Sequence, residues 1–117
     1  RDPMITLWTA LDPATIQNGC VEVVPGSHKN GLLNGAHMSG FLTQEQSDEA
    51  SNGPTQFLEL EAGEVVLLHN WLLHRSDKNH SNQSRRAFSV CYMDGRTKNQ
   101  QWDENFTRVW EESAVLA

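Results

Sequence analysis

The sequence is poor in the residues that build several common kinds of site. It has two cysteines, Cys20 and Cys91, far apart and in no CxxC pair. That argues against zinc knuckles and thioredoxin-like redox motifs. Neither has a histidine close by in sequence, so nucleophilic catalysis by a thiol has no support. GxGxxG, a P-loop, HExxH and GxSxG are all missing, which leaves dinucleotide binding, phosphate cradling, zinc proteolysis and a serine nucleophile without local signals. No apolar run nears the roughly 18 residues that cross a bilayer as a helix. Bases are outnumbered, with nine Lys and Arg against 15 Asp and Glu for a net charge of -6. An acidic chain lacks the surface that nucleic acids require. No secretion signal is visible, so the N-x-[ST] sequons at Asn79, Asn82 and Asn105 read as unused. The expected setting is reducing and cytoplasmic, with no membrane partner.

What is present is one core's worth of apolar residues, 38% of 117, arranged mainly with strand periodicity. Residues 4–11 alternate Ile5, Leu7 and Thr9 against Thr6, Trp8 and Ala10, then break at Asp12-Pro13. Asn18-Gly19 is a strong turn pair, and residues 20–24 form a second strand that Pro25-Gly26 ends. Residues 26–55 are a polar excursion, in which Thr43 to Gln46 reads as a capping box opening a helix through about Ala50. Phe57, Leu58 and Leu60 resume the apolar pattern. Val65 to His69 is a nearly continuous apolar run and predicts a strand buried on both faces. Residues 72–76 and 86–93 predict two more strands. Both cysteines lie in such runs, so buried free thiols are expected. Trp102, Phe106, Val109 and Trp110 fall at helical spacing near the end. Short strands punctuated by turns imply an all-β sandwich or barrel.

Charge is uneven. From His74 to Arg86 the chain carries Arg75, Lys78, Arg85 and Arg86 against Asp77, a local net of +3, while the remainder is net -9. A small cationic island in an acidic chain suits a small anion better than a polyanion. Three of the five histidines, His69, His74 and His80, lie within twelve positions. His74 and Ser76 share a face if their strand continues, since side chains alternate. Were the strands at 72–76 and 86–93 neighbours, Arg85 would return toward His74. Those three residues would then supply an imidazole ligand, a hydroxyl and a guanidinium fork suited to a carboxylate. A zinc or nickel site from His69, His74 and His80 is disfavoured by the odd spacings.

The same residues fall into a familiar order. Trp8-Thr9-Ala10-Leu11-Asp12, Asn18-Gly19-Cys20 and Val24-Pro25-Gly26-Ser27-His28-Lys29 come first. Gly63-Glu64-Val65-Val66, Leu72-Leu73-His74-Arg75-Ser76, Asn79 and Arg85-Arg86-Ala87-Phe88-Ser89 follow. Running from about Met4 to Tyr92, this set resembles the phytanoyl-CoA dioxygenase family.

The resemblance implies a double-stranded β-helix, the cupin-like jelly roll. It also implies Fe(II) as cofactor and 2-oxoglutarate as co-substrate, used with O₂ to hydroxylate an aliphatic carbon of a small-molecule or acyl substrate. Family iron sits in a triad of two histidines and one carboxylate. By this carry-over His74 is the distal metal ligand, Arg85 pairs with the far carboxylate of 2-oxoglutarate, and Ser76 and Trp8 line its pocket. His69, His28 and Arg86 are expected to be structural. The family's H-x-D pair belongs upstream of Arg1, and neither Asp2 nor Asp12 has the context to replace it. Residues 1–117 are therefore expected to be the C-terminal portion of one jelly-roll domain, incomplete at its N-terminal side and inactive alone. A halogenase of the same family, with a small residue in place of the carboxylate, and a non-catalytic jelly-roll module binding a small anion are the alternatives.

Overall fold

The computed structural model describes residues 4–35, 41–99 and 104–105. Their elements run β1 (Ile5–Ala10), β2 (Val21–Val23), a 3-10 turn (Ser27–Asn30), α1 (Gln44–Ser51), β3 (Gln56–Leu58), β4 (Val65–His69), β5 (His74–Ser76), β6 (Ala87–Tyr92), β7 (Lys98–Asn99) and β8 (Glu104–Asn105). One antiparallel sheet has the order β4-β1-β6 and a second the order β3-β2-β5, with β7 and β8 forming a small pair. From β3 to β6 the chain passes from one sheet to the other with each strand, the path of a double-stranded β-helix. This is the all-β jelly-roll class that the sequence led us to expect.

The deepest packing lies along β2 and the turn before it. Ala10, Ala14, Cys20, Val21 and Val23 are the buried apolar residues, and Asn18 is buried with them. A buried amide must find partners. Asn18 does so within its own turn, accepting from the Thr15 N–H at 2.7 Å and donating to the Pro13 carbonyl at 2.8 Å. That turn ends in Gly19, whose φ of 80° favours glycine. The Gln17 carbonyl then accepts from His80 N–H at 3.0 Å, joining the turn to the connection that leaves β5.

The capping box forms as read: the Thr43 hydroxyl accepts from Gln46 N–H while the Gln46 side chain accepts from Thr43 N–H. Four expectations change. Val65 and Leu67 are 50% and 69% exposed, so β4 is covered on one face only. Its run of apolar residues encodes an apolar outer face, shared with Ile5 and Phe88 through the register of β1 with β4 and β6. Cys20 is buried but Cys91 is exposed, and both are free. Glu104–Asn105 pair as a strand with Lys98–Asn99, so the helical spacing does not govern there; the rest of that stretch lies outside the described residues. Finally, β5 and β6 are not neighbours. They follow one another in sequence but pair with β2 and β1 respectively. The connection between them crosses from one sheet to the other, so any meeting of Arg85 with His74 is made between sheets and not along one.

Candidate functional site

β5 places His74 and Ser76 on the same face, His74 opposite Val23 and Ser76 opposite Val21. Two residues along a strand advance roughly 6.6 Å. Both side chains are exposed, while the facing valines are buried. His74 Nδ1 lies 2.9 Å from the Leu72 carbonyl. A carbonyl only accepts, so the proton sits on Nδ1 and Nε2 keeps its lone pair. Fixing one ring nitrogen on a backbone oxygen is how a metal-binding imidazole is commonly oriented.

Arg85 lies in the chain just before β6 and is half-buried. Its charge reaches Cys20, the residue before Val21: burial raises the Cys20 pKa, Glu59 adds to the rise, and Arg85 opposes it. Along β2, His74 thus stands at Val23 and Ser76 at Val21, and the Arg85 charge acts on the neighbouring Cys20. Trp8 is on the other sheet, at the middle of β1, between Val66 and Ser89. It shares a face with the fully buried Ala10 and is itself half-buried. The four sequence-expected residues thus come from both sheets.

The cationic island does not act as one patch. Arg75 Nε donates to Glu22 at 2.6 Å. Arg86 makes a fork on Asp12, with Nε and Nη2 at 2.9 and 2.8 Å. Further along the chain, Arg96 does the same with Asp94. Among the described arginines, Arg85 alone has neither a hydrogen bond nor an ion pair. A half-buried guanidinium in that condition is costly unless a ligand completes it. Glu22 was missed in the sequence reading because its partner lies across a strand pair and not near it in the chain. A lone glutamate inside an apolar strand was the available signal.

Both oxygens of Asp12 are engaged by Arg86. Hydrogen bonds from the Arg86 side chain and backbone hold its pKa down from 3.8 to about 2. A carboxylate depressed in the folded state stabilises the fold above its ordinary pKa and loses that contribution as pH falls toward the folded value. We expect Arg86→Ala to raise the Asp12 pKa only part of the way back toward 3.8, because the backbone N–H at position 86 still donates to it, and to reduce the wild type's acid sensitivity between 3.8 and about 2. Carboxyl-carbon NMR titration of Asp12 measures this; an unmoved midpoint would contradict the pairing.

Among the described residues no three His, Cys, Asp or Glu side chains gather to hold a metal, so His69, His74 and His80 do not make a zinc or nickel site. His69 is occupied otherwise. Its Nδ1 accepts from Trp71 N–H at 3.1 Å, and its ring lies 5.0 Å from that of His28. Among the described residues no helix is long and apolar enough to cross a membrane.

A cavity of about 540 Å³ opens beside His74. Its walls come from the ends of β2 and β5 on one side and from the excursion on the other, including Leu32, Leu33, Phe41 and Leu42. The excursion therefore lines the cavity, as loops that carry function commonly do.

Comparison with known proteins bears on the family and the fold. The family model described as phytanoyl-CoA dioxygenase (PhyH) matches residues 1–87. A phytanoyl-CoA dioxygenase of Arabidopsis thaliana is 36% identical over 86 residues, covering 72% of this chain and 30% of its own. Among solved structures, the non-heme alpha ketoglutarate dependent carbocyclase SnoK from nogalamycin biosynthesis is 28% identical. It has a TM-score of 0.67, over 79% of this chain and 38% of that one. The epimerase SnoN, in complex with Fe3+, alpha ketoglutarate and nogalamycin RO, is also 28% identical. Its TM-score is 0.64, over 79% of this chain and 36% of that one. The chain spans about a third of the length of these relatives.

Proposed function

Because the chain belongs to the phytanoyl-CoA dioxygenase family, we propose that it carries the distal metal ligand and the co-substrate clamp of an Fe(II)/2-oxoglutarate-dependent oxygenase. The protein would hydroxylate an aliphatic carbon of a small-molecule substrate, releasing succinate and CO₂. The observation that carries this reading is Arg85, half-buried and without a carboxylate while the other described arginines each have one.

The residues fit the groups the family uses. His74 Nε2 is the free nitrogen of an imidazole oriented by the Leu72 carbonyl, a donor suited to Fe(II). Arg85 would take the far carboxylate of 2-oxoglutarate through its planar fork. Ser76, between them along β5 and β2, would donate its hydroxyl to the same carboxylate, and the Trp8 indole would close the pocket from the facing sheet. Bound Fe(II) and 2-oxoglutarate together supply the activation of O₂. The chain's own part is to orient the imidazole, neutralise the co-substrate's charge and exclude water around it. The remaining two protein ligands are assigned to an H-x-D segment preceding β1.

Titration of the intact, metal-loaded protein with 2-oxoglutarate by calorimetry tests this. Truncating one partner of a buried charge pair costs roughly 2–5 kcal/mol, so Arg85→Ala should weaken binding by about a hundredfold. Arg85→Lys should recover part of the loss, because the charge returns without the fork. Equal affinity in the wild type and Arg85→Ala would sink the assignment.

A further inference from the structure

The cavity beside His74 has an electrostatic character that bears on what enters it. Val23, Leu72 and Leu73 line it from β2 and the approach to β5, and Leu33, Phe41 and Leu42 line it from the excursion. Leu33 is 42% and Phe41 75% exposed, apolar area on the polar excursion. Among the described lining residues only Glu22 and Arg75 carry full charge, and they pair with each other at 2.6 Å. The Glu22 side chain is only 10% exposed, and burial opposes its ionisation, but the Arg75 guanidinium, helped by Thr55, outweighs this and holds its pKa below the ordinary range. The cavity therefore offers shape and apolar area but no net charge. Its volume falls in the roughly 300–1,000 Å³ range of small-molecule sites.

A coenzyme A thioester would bring several phosphate charges to this mouth. Phosphate recognition relies on arginine and lysine. Here the one lining arginine is already held by a carboxylate, Arg86 is held by Asp12, and the chain outside the His74–Arg86 island is net -9. Arg85 is committed to the co-substrate on the reading given above.

We propose that the cavity takes an uncharged, largely apolar small molecule, presented free and not as a coenzyme A thioester. The proposal rests on the oxygenase reading for the cavity's place beside the metal.

The test compares decanamide with decanoyl-CoA, the same ten-carbon acyl chain without and with the charged carrier. Both are titrated into the intact protein loaded with Mn(II) and 2-oxoglutarate. Decanamide is expected to bind at least about tenfold more tightly, a difference of roughly 1.4 kcal/mol. Phe41→Asp, a change at an exposed position, should weaken decanamide binding by about tenfold or more while leaving 2-oxoglutarate affinity as it was. Equal or tighter binding of decanoyl-CoA overturns the proposal, and so does binding of neither probe. Failure of 2-oxoglutarate itself to bind would instead overturn the oxygenase reading, so the two failures are told apart.

Discussion

Replacing His74 by alanine in the intact protein is expected to weaken Fe(II) binding by at least about a thousandfold and to abolish iron-dependent succinate formation. Changes to groups that merely orient a metal ligand already cost roughly 10–100-fold, so loss of the ligand itself should exceed that range. The structure supplies reasons to expect a specific effect. His74 is exposed, and its backbone pairing with Val23 does not depend on the side chain. Among the described residues, its side chain hydrogen-bonds the Leu72 carbonyl alone. The fold should therefore survive, which circular dichroism and an unchanged unfolding midpoint would verify. Anaerobic Fe(II) titration reads the metal directly. Unchanged iron affinity in a folded His74→Ala protein would show that the imidazole is not a ligand. His69→Ala provides the contrast: its ring is engaged with Trp71 and His28, and its substitution should move stability more than metal affinity.

Gly19→Ala is expected to destabilise the protein by about 4 kcal/mol, for two reasons that add. A φ of 80° strains a residue with a Cβ, at roughly 1–3 kcal/mol. The new methyl would also sit on the Asp77 carbonyl oxygen, far inside van der Waals contact, and 3.2 Å from the Lys78 carbonyl. Overpacking of this kind costs roughly another 1–3 kcal/mol, and the obstacle is backbone, which cannot rotate aside. Urea unfolding would report the loss. A change under 1 kcal/mol would mean that the two turns separate easily. Function should suffer beyond stability, since the strand of chain displaced by the methyl is the one that carries Arg85 to β6. Gly26 is the comparison: its φ is also 80°, but a Cβ there meets nothing within 4 Å. Gly26→Ala should cost only the conformational part.

The local elements were legible in the sequence. Alternation located β1 and β6 to within a residue or two, the turn pairs bounded β2, and Thr43 with Gln46 marked the start of α1. These signals are short-range, and so they survive reading one residue at a time. Pairing is not short-range. Nothing in residues 72–93 says that β5 joins β2 while β6 joins β1, because that choice is made by partners more than fifty residues away. The same limit hid the Glu22–Arg75 pair and left the island of four bases looking like one patch. The apolar run of β4 was misread for a related reason. A strand that turns apolar residues to both sides looks buried, whatever actually covers its outer face. Of the candidate site, the residue types and their order came from resemblance. The structure adds that Arg85 lacks a partner among the described residues and that the His74 ring is held on the Leu72 carbonyl.

The register of β1 also governs how the protein is made. β1 is the central strand of its sheet, yet it pairs with β4 and β6, with Ile5 opposite both His69 and Tyr92. At roughly 5–20 residues per second, the ribosome needs about 4 to 17 s to go from Ile5 to Tyr92. Until β4 is made, an apolar, alternating strand waits without either neighbour, and until β6 is made it lacks one of them. Non-local pairing of this kind slows folding, and unpaired strands are exposed to wrong partners meanwhile. Yield in a heterologous host should therefore depend less on final stability than on whether a chaperone shelters β1 during synthesis.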